Sequence, residues 1–142
     1  MKNILNTAGF LSLLMVFSCM TYAAHHADPL LDAVNNPARN SAYSARDASR
    51  HPYETLSFFQ INPSMHVLEL SAGGGWYTEI LAPYLKDSGK LSVTHYNPDA
   101  GNYYKRSRGS YDAKVASNPL FAGVEVITAD VPPTQEYSMP GT

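Results

Sequence analysis

Cysteine is almost absent from this sequence, because Cys19 is the only one among 142 residues. It falls in a segment typical of a signal peptide, in which Lys2 precedes an uncharged apolar core at 10–17 and small residues end at Ala23. We therefore expect an exported protein, periplasmic or secreted, that is cleaved after Ala23. A mature chain so cleaved has no thiol, which excludes a disulfide framework, a thiolate nucleophile and a cysteine zinc site.

The same segment allows a second interpretation of the localisation. The four residues that end at Cys19 resemble a bacterial lipobox, in which this cysteine would be lipidated. Phe17 is bulky for that motif, and this favours simple cleavage over a lipoprotein anchored through Cys19. The apolar run is too short to cross a bilayer as a permanent helix, so no stable membrane span is expected.

An excess of either charge is also lacking, since the formal net charge is −2. Without a basic excess to neutralise phosphates, nucleic acid is not expected as the main partner. A hydrolase is disfavoured because the sequence has no Gly-x-Ser-x-Gly elbow, no His-Glu-x-x-His and no P-loop. His25 and His26 have no further ligands at helical spacing, and no metal site is expected.

The most informative stretch is 65–81, which begins with a short apolar run that predicts a buried strand. Gly73, Gly74 and Gly75 follow, and apolar residues then recur at helical spacing over 77–85. A strand, a glycine loop and a helix start form the unit that holds a nucleotide-like ligand. Glycines allow close approach to the main chain, and the helix start presents unpaired N–H groups. A tight turn without a ligand is the alternative.

The segment 24–64 is predicted to be helical. Asp28 and Pro29 are a good N-cap and first-turn residue for a short helix, and Pro52 begins another. Between them lies a polar, weakly helical stretch whose arginines are expected on a solvated face. These arginines are Arg39, Arg46 and Arg50, and the expected apolar anchors of the helix that begins at Pro52 are Leu56, Phe58, Phe59 and Ile61.

Beyond the glycine loop, the pattern alternates between helix and strand. Strands are expected over 91–96 and 124–128, with a helix over 103–117 between them. This alternation implies right-handed crossovers and an α/β fold with a Rossmann-like, partial parallel sheet of about three strands. The expected organisation is a signal peptide at 1–23, a helical segment at 24–64 and the sheet domain at 65–142.

The run Glu69-x-Ser71-x-Gly73-Gly74-Gly75 is similar to motif I of class I S-adenosylmethionine-dependent methyltransferases, written as acid-x-Gly-x-Gly-x-Gly. Over about 40–130 the chain resembles a group of exported bacterial predicted methyltransferases, most specifically in ELSAGGGWYTEILAPYL. The resemblance implies a Rossmann-like sheet with helices on both faces. It also implies S-adenosylmethionine as cofactor, bound at the carboxyl ends of the strands, and a methyl acceptor that the sequence does not identify.

The resemblance also implies the roles of single residues. Glu69 would meet the methionine amino group, since a carboxylate is the charge-assisted partner of an ammonium. Asp130 would accept a hydrogen bond from the adenine amino group, and Asn97 or Asp99 would hold the ribose. The other expected cofactor-binding residues are Ser71, Gly73, Gly74 and Gly75.

Two departures from the resembled pattern shape the expectations. Ser71 stands where the first motif glycine is expected, so that turn must be reached with a Cβ present. The sequence ends at Thr142, before the fourth strand whose following loop faces the transferring methyl, and we expect a C-terminally truncated chain that lacks the acceptor half. Three strands with exposed edges would be marginally stable and inclined to self-associate.

Other functions follow if the chain does not transfer a methyl group. The main alternative is an exported, catalytically silent ligand-binding or interaction domain with a degenerate methyltransferase fold. A dinucleotide-dependent oxidoreductase is less favoured, because its Gly-x-Gly-x-x-Gly motif needs a glycine where Thr78 stands. Tyrosines and basic residues over 103–111 are explained by amphipathic helix packing, and Trp76 is expected to cover the sheet.

Overall fold

Helices and strands alternate along the chain as the sequence predicts. The computed structural model describes residues 28–130, and the predicted signal segment with Cys19 lies outside them. Within the described range, three strands form one sheet in the order β1-β2-β3, and both neighbouring pairs are parallel. The expected α/β fold with a partial, Rossmann-like parallel sheet is therefore confirmed. The strands are β1 (His66–Glu69), β2 (Lys90–Tyr96) and β3 (Glu125–Ala129).

The predicted helices are present, and most of their bounds shift by about one residue, as is usual at helix ends. The helix that begins at Pro52 is shorter than predicted, because it ends at Phe58, before the expected anchors Phe59 and Ile61. The polar stretch after Asn40 splits into two short helices. Within residues 28–130, no helix is both long enough and apolar enough to cross a membrane. The α-helices are α1 (Pro29–Val34), α2 (Ser41–Ser44), α3 (Asp47–Arg50), α4 (Pro52–Phe58), α5 (Thr78–Leu85) and α6 (Asn102–Ser117), and two 3-10 helices cover Pro98–Ala100 and Pro119–Phe121.

Local sequence explains where these elements begin and end. Asp28 Oδ1 accepts hydrogen bonds from the backbone N–H groups of Leu30 at 3.0 Å and Leu31 at 3.2 Å, as an N-cap does. Pro83 lies inside α5, and the helix ends two residues later at Leu85. Capping side chains and prolines thus set the element bounds.

One core joins the N-terminal helices to the sheet. Helix α5 packs against both β2 and α1, and α6 packs against β2. Ile80, Val93 and Phe121 are fully buried at the centre. Apolar residues of α1 and α4 belong to the same buried cluster, so the described part of the predicted helical segment shares its core with the sheet.

Two expectations for the N-terminal helices are wrong. Phe58 and Phe59, at the end of α4, are 80% and 63% exposed. Phe59 lines a groove beside β1, on a side where no further strand is described among residues 28–130. Arg39 is buried rather than solvated, since its guanidinium pairs with Asp47 at 2.6 Å. Of the predicted anchors, Leu56 is buried.

Candidate functional site

The glycine loop between β1 and α5 is anchored to β2. The backbone N–H of Ser71 donates to Thr94 Oγ1 at 2.8 Å, and that of Ala72 donates to the Thr94 carbonyl at 3.1 Å. Ser71 has a φ of 54°, in the left-handed region that glycine reaches without strain. The first motif position therefore adopts a conformation that favours glycine, although a Cβ is present.

The three glycines of the loop have different surroundings. A Cβ on Gly75 would lie 2.8 Å from the ring of Phe121, and one on Gly74 would collide with the hydroxyl of Tyr43. A Cβ on Gly73 would meet nothing closer than 3.8 Å. Gly75 is thus required by a buried ring of the protein itself, Gly74 is restricted by the end of the Tyr43 side chain, and Gly73 alone of the three has free space beside it.

Side chains hold the carbonyl groups of this loop. The Gly73 carbonyl lies 3.0 Å from His95 Nε2, and the Gly74 carbonyl accepts from Lys114 Nζ at 2.7 Å and from Tyr43 Oη at 2.9 Å. The backbone N–H groups of Gly73 and Gly74 have no acceptor among residues 28–130. Two adjacent N–H donors are suited to a carboxylate or another hydrogen-bond acceptor.

His95 holds the loop as a neutral side chain. Its Nδ1 accepts from the backbone N–H of Tyr96 at 2.9 Å, which makes Nε2 the protonated nitrogen that donates to Gly73. Burial lowers the pKa of His95 from its ordinary value of 6.5, although the hydrogen bond to Gly73 acts in the opposite direction. A neutral imidazole therefore ties the glycine loop to β2.

Glu69, at the end of β1, lies in a hydrogen-bonded chain with two buried hydroxyl groups. Thr78 Oγ1 donates to Glu69 Oε2 at 2.7 Å and lies 3.0 Å from Tyr111 Oη. Burial raises the pKa of Glu69 from 4.5 to about 7, although the Thr78 hydrogen bond lowers it. Burial also raises the pKa of Tyr111 far above its ordinary value, so this phenol keeps its proton.

The predicted residues at the ends of β2 and β3 are in contact. Asn97 Nδ2 donates to Asp130 Oδ1 at 2.8 Å. Asn97 Oδ1 accepts from the backbone N–H of Asp99 at 3.0 Å and caps the following 3-10 helix, in which Asp99 is exposed. The structure thus joins Asn97 to Asp130 and leaves the side chain of Asp99 in solvent.

A cavity of about 500 Å³ opens beside Gly73, between the glycine loop and α6. It is lined by the loop, by Tyr96 from β2 and by one face of α6 that runs from Tyr103 to Lys114. Its volume lies within the range of about 300–1,000 Å³ that is typical of small-molecule sites. We call it the α6 cavity.

Glu69 does not line the α6 cavity. It borders an apolar groove of about 480 Å³ beside β1, whose walls include Leu56, Phe59 and Leu70. The structure therefore separates the predicted carboxylate from the predicted glycine contacts. The hydrogen-bonded chain from Glu69 through Thr78 connects the two sides, because its last member, Tyr111, lines the α6 cavity.

Trp76 is packed between protein groups. Trp76 is 5% exposed, and its Nε1 donates to the Tyr43 carbonyl at 2.8 Å. The guanidinium of Arg50 lies 4.8 Å from the ring centroid, and that of Arg39 lies 5.9 Å away. Trp76 is therefore buried by packing, but its contacts are with Tyr43, Arg39 and Arg50 of the N-terminal segment and not with the sheet that the sequence predicts it to cover.

Sequence reasoning did not identify His95, Tyr111 or Lys114 as part of a site. For α6 a signal was present, because the residues from Tyr103 to Lys114 that line the cavity recur at helical spacing. For His95 no sequence signal exists, since its role depends on a loop that precedes it by 22 residues.

The chain has no match among family models, curated proteins or solved structures. In the part of the chain that the structure describes, no group of three or more His, Cys, Asp or Glu side chains is placed to hold a metal ion. The function must therefore be inferred from the geometry of the strand ends and of the two cavities.

Proposed function

We propose that this chain binds S-adenosylmethionine at the carboxyl ends of its strands, as a domain of the class I methyltransferase type. One arrangement supports this most: the loop with Gly73 follows β1, Asn97 follows β2, and Asp130 follows β3. Parallel strands bring these residues to one edge of the sheet, which is where α/β proteins bind nucleotide-like ligands. Gly73 has free space beside it for such a ligand.

The polar groups at this edge suit the parts of the methyl donor. The open N–H groups of Gly73 and Gly74 fit its carboxylate. Asn97 and Asp130 provide amide and carboxylate groups for its ribose hydroxyls and adenine amino group. Glu69 would accept a hydrogen bond from the α-amino group of the methyl donor, in addition to the one that it accepts from the Thr78 hydroxyl.

A ligand-binding domain without methyl transfer is the second candidate. It is favoured by the separation of Glu69, which borders the β1 groove, from Gly73, which borders the α6 cavity. A ligand held beside Gly73 alone would lack a carboxylate partner for its amine. The affinity for S-adenosylmethionine would then be unchanged in Glu69→Ala, and this response separates the two candidates.

Isothermal titration calorimetry of the full chain tests the proposal with S-adenosylmethionine, S-adenosylhomocysteine and adenosine. We expect both adenosyl amino acids to bind at least about tenfold more tightly than adenosine, because a hydrogen bond to a charged group contributes about 1.5–3 kcal/mol. Asn97→Ala should weaken binding. Asp99→Ala should change it little, because the Asp99 side chain is exposed.

A matched pair of glycine variants locates the ligand. Gly73→Ala fills the free space beside the loop and should weaken binding, whereas Gly109→Ala adds a methyl group at another open position, on α6 away from the loop. Failure of the folded protein to bind either adenosyl amino acid would overturn the proposal. An unchanged affinity of Glu69→Ala for S-adenosylmethionine would support the second candidate, and enzymatic activity requires in addition that a labelled methyl group reaches an acceptor.

A further inference from the structure

The α6 cavity carries positive charge that its lining does not neutralise. Arg106 and Lys114 both line it, and no aspartate or glutamate does so among residues 28–130. Lys114 Nζ bonds Tyr43 Oη and the Gly74 carbonyl, both at 2.7 Å, and neither acceptor has a formal charge. Arg106 has no hydrogen-bond or ion-pair partner within the described range.

Arg106 differs in this respect from two other arginines, which have carboxylate partners. Arg108, on the same helix, contacts Asp112 at 2.7 Å, and Arg39 contacts Asp47 at 2.6 Å. An unpaired guanidinium and an ammonium on one concave surface attract an anionic group, and guanidinium geometry matches a carboxylate with two parallel hydrogen bonds. The complement of this cavity is therefore an anion.

Hydroxyl groups and aromatic rings complete the lining. The side-chain hydroxyls of Ser107, Ser110 and Tyr96 have no hydrogen-bond partner among residues 28–130. The ring centroids of Tyr96 and Tyr103 lie 6.1 Å apart, and Tyr104 lies 5.1 Å from the first ring and 5.5 Å from the second. A cluster of rings at these separations provides faces and edges against which another planar ring packs.

We propose that the α6 cavity is a binding site for a small planar carboxylate. Its ring packs against Tyr96 and Tyr103, and its carboxylate contacts Arg106 and Lys114. This inference goes beyond the binding of a methyl donor and does not depend on it, because the contacts come mainly from α6 and the charge comes from residues outside the strand ends.

Benzoate is the probe for this site, and benzamide is its uncharged analogue of nearly the same shape. Titrations followed by NMR chemical shifts should show benzoate binding at least tenfold more tightly than benzamide. Arg106→Gln should weaken benzoate binding about tenfold and bring it close to that of benzamide. Lys105→Gln is the matched control, because it removes an exposed positive charge from the adjacent position, which does not line the cavity.

The outcomes separate the site from nonspecific charge attraction. Arg106 and Lys105 are both exposed, so neither variant should change the melting temperature. Equal affinities for benzoate and benzamide, or equal losses in both variants, would overturn the proposal. Lys114→Met removes the second positive charge from the cavity lining and should also weaken benzoate binding. Unchanged benzoate affinity in this variant would contradict the proposed contact with Lys114.

A competition titration identifies which ligand supplies the carboxylate that binds in the α6 cavity. Benzoate is titrated again with S-adenosylhomocysteine in excess, and unchanged benzoate affinity is expected for a site of its own. Competition between the two would mean that Arg106 and Lys114 receive the carboxylate of the methyl donor, and a separate site would be excluded. Benzoate binding without any binding of the adenosyl compound would overturn the proposed function and leave this inference standing.

Discussion

His95 and Gly73 are joined by a hydrogen bond of 3.0 Å that links a buried imidazole to the conformation of the glycine loop. The other ring nitrogen accepts from the Tyr96 backbone N–H at 2.9 Å. Only the neutral ring with its proton on Nε2 satisfies both contacts. A proton added at Nδ1 would face the N–H of Tyr96, donor against donor.

We expect the contribution of His95 to the free energy of unfolding to decrease as the pH falls below 6.5, and the difference between wild type and His95→Gln isolates it from Glu69, whose raised pKa acts in the opposite sense. Burial lowers the pKa of His95 in the fold, so between that lowered pKa and 6.5 the unfolded chain binds more protons. The contribution of His95 to the unfolding free energy is complete above pH 6.5 and is lost as the pH falls through the pKa that His95 has in the folded protein. Urea unfolding over about pH 5–8 of the wild type and His95→Gln, which retains a donor toward Gly73, measures it. Parallel curves for the two proteins would contradict this role of His95.

Glu69 leads us to expect proton release when the methyl donor binds. Its pKa of about 7 leaves roughly half of the side chains protonated at neutral pH, and a bound ammonium favours the carboxylate, so binding should release about half a proton. Affinity should rise from about pH 6 to about 7.5, above which the α-amino group of the donor begins to lose its own proton. Calorimetry in two buffers of different ionisation heat gives the proton count. Glu69→Gln should abolish this release, and an unchanged count would assign the proton to another group.

Two glycines of one loop should respond differently to the same substitution. Gly75→Ala combines a φ of 88° with a Cβ at 2.8 Å from Phe121, and we expect a loss of about 2–4 kcal/mol in unfolding free energy. Gly73→Ala has a φ of 58° but free space, and we expect a loss of about 1–2 kcal/mol. Chemical denaturation of both variants measures these losses. Equal losses in unfolding free energy would show that the Phe121 ring moves aside with little change in free energy.

The outer edge of β1 should promote self-association. Among residues 28–130 no strand pairs with that edge, and Leu70 and Phe59 beside it are 72% and 63% exposed. Unpaired edges with exposed apolar side chains pair with other chains. Sedimentation velocity at increasing concentration should show association that Leu70→Lys reduces. Leu31→Lys, at a 41% exposed position on α1, is the control, and similar behaviour of the two variants would place the contact elsewhere.

The secondary structure and the fold class could be predicted because they depend on neighbouring residues. Asp28 caps the helix that begins beside it, and the apolar runs of 91–96 and 124–128 form strands within about one residue of the expected positions. Alternation of these elements is sufficient to predict a parallel sheet. The observed order β1-β2-β3 places consecutive strands beside each other, as is common for sequential elements.

The candidate site was only partly predictable, because its contacts join distant residues. Lys114 reaches the carbonyl of Gly74 across 40 positions, and no local pattern indicates that contact. Arg39 illustrates the same limit: a polar stretch suggests a solvated face, yet this arginine is buried against Asp47 and near Trp76. The spacing of the glycines predicts the loop, but it does not indicate that Gly75 makes room for Phe121 rather than for a ligand.

Trp76 is the single tryptophan of the chain, and its indole bonds the Tyr43 carbonyl beneath the guanidinium of Arg50. Both of these contacts come from the N-terminal helices, whereas Tyr77 packs on the ring from the loop itself, with ring centroids 4.5 Å apart. Its fluorescence is therefore an intrinsic optical signal for one event, the detachment of these helices from the glycine loop. Comparison of this fluorescence with the far-ultraviolet circular dichroism of the whole chain during unfolding shows whether the N-terminal helices detach before the sheet unfolds or at the same time.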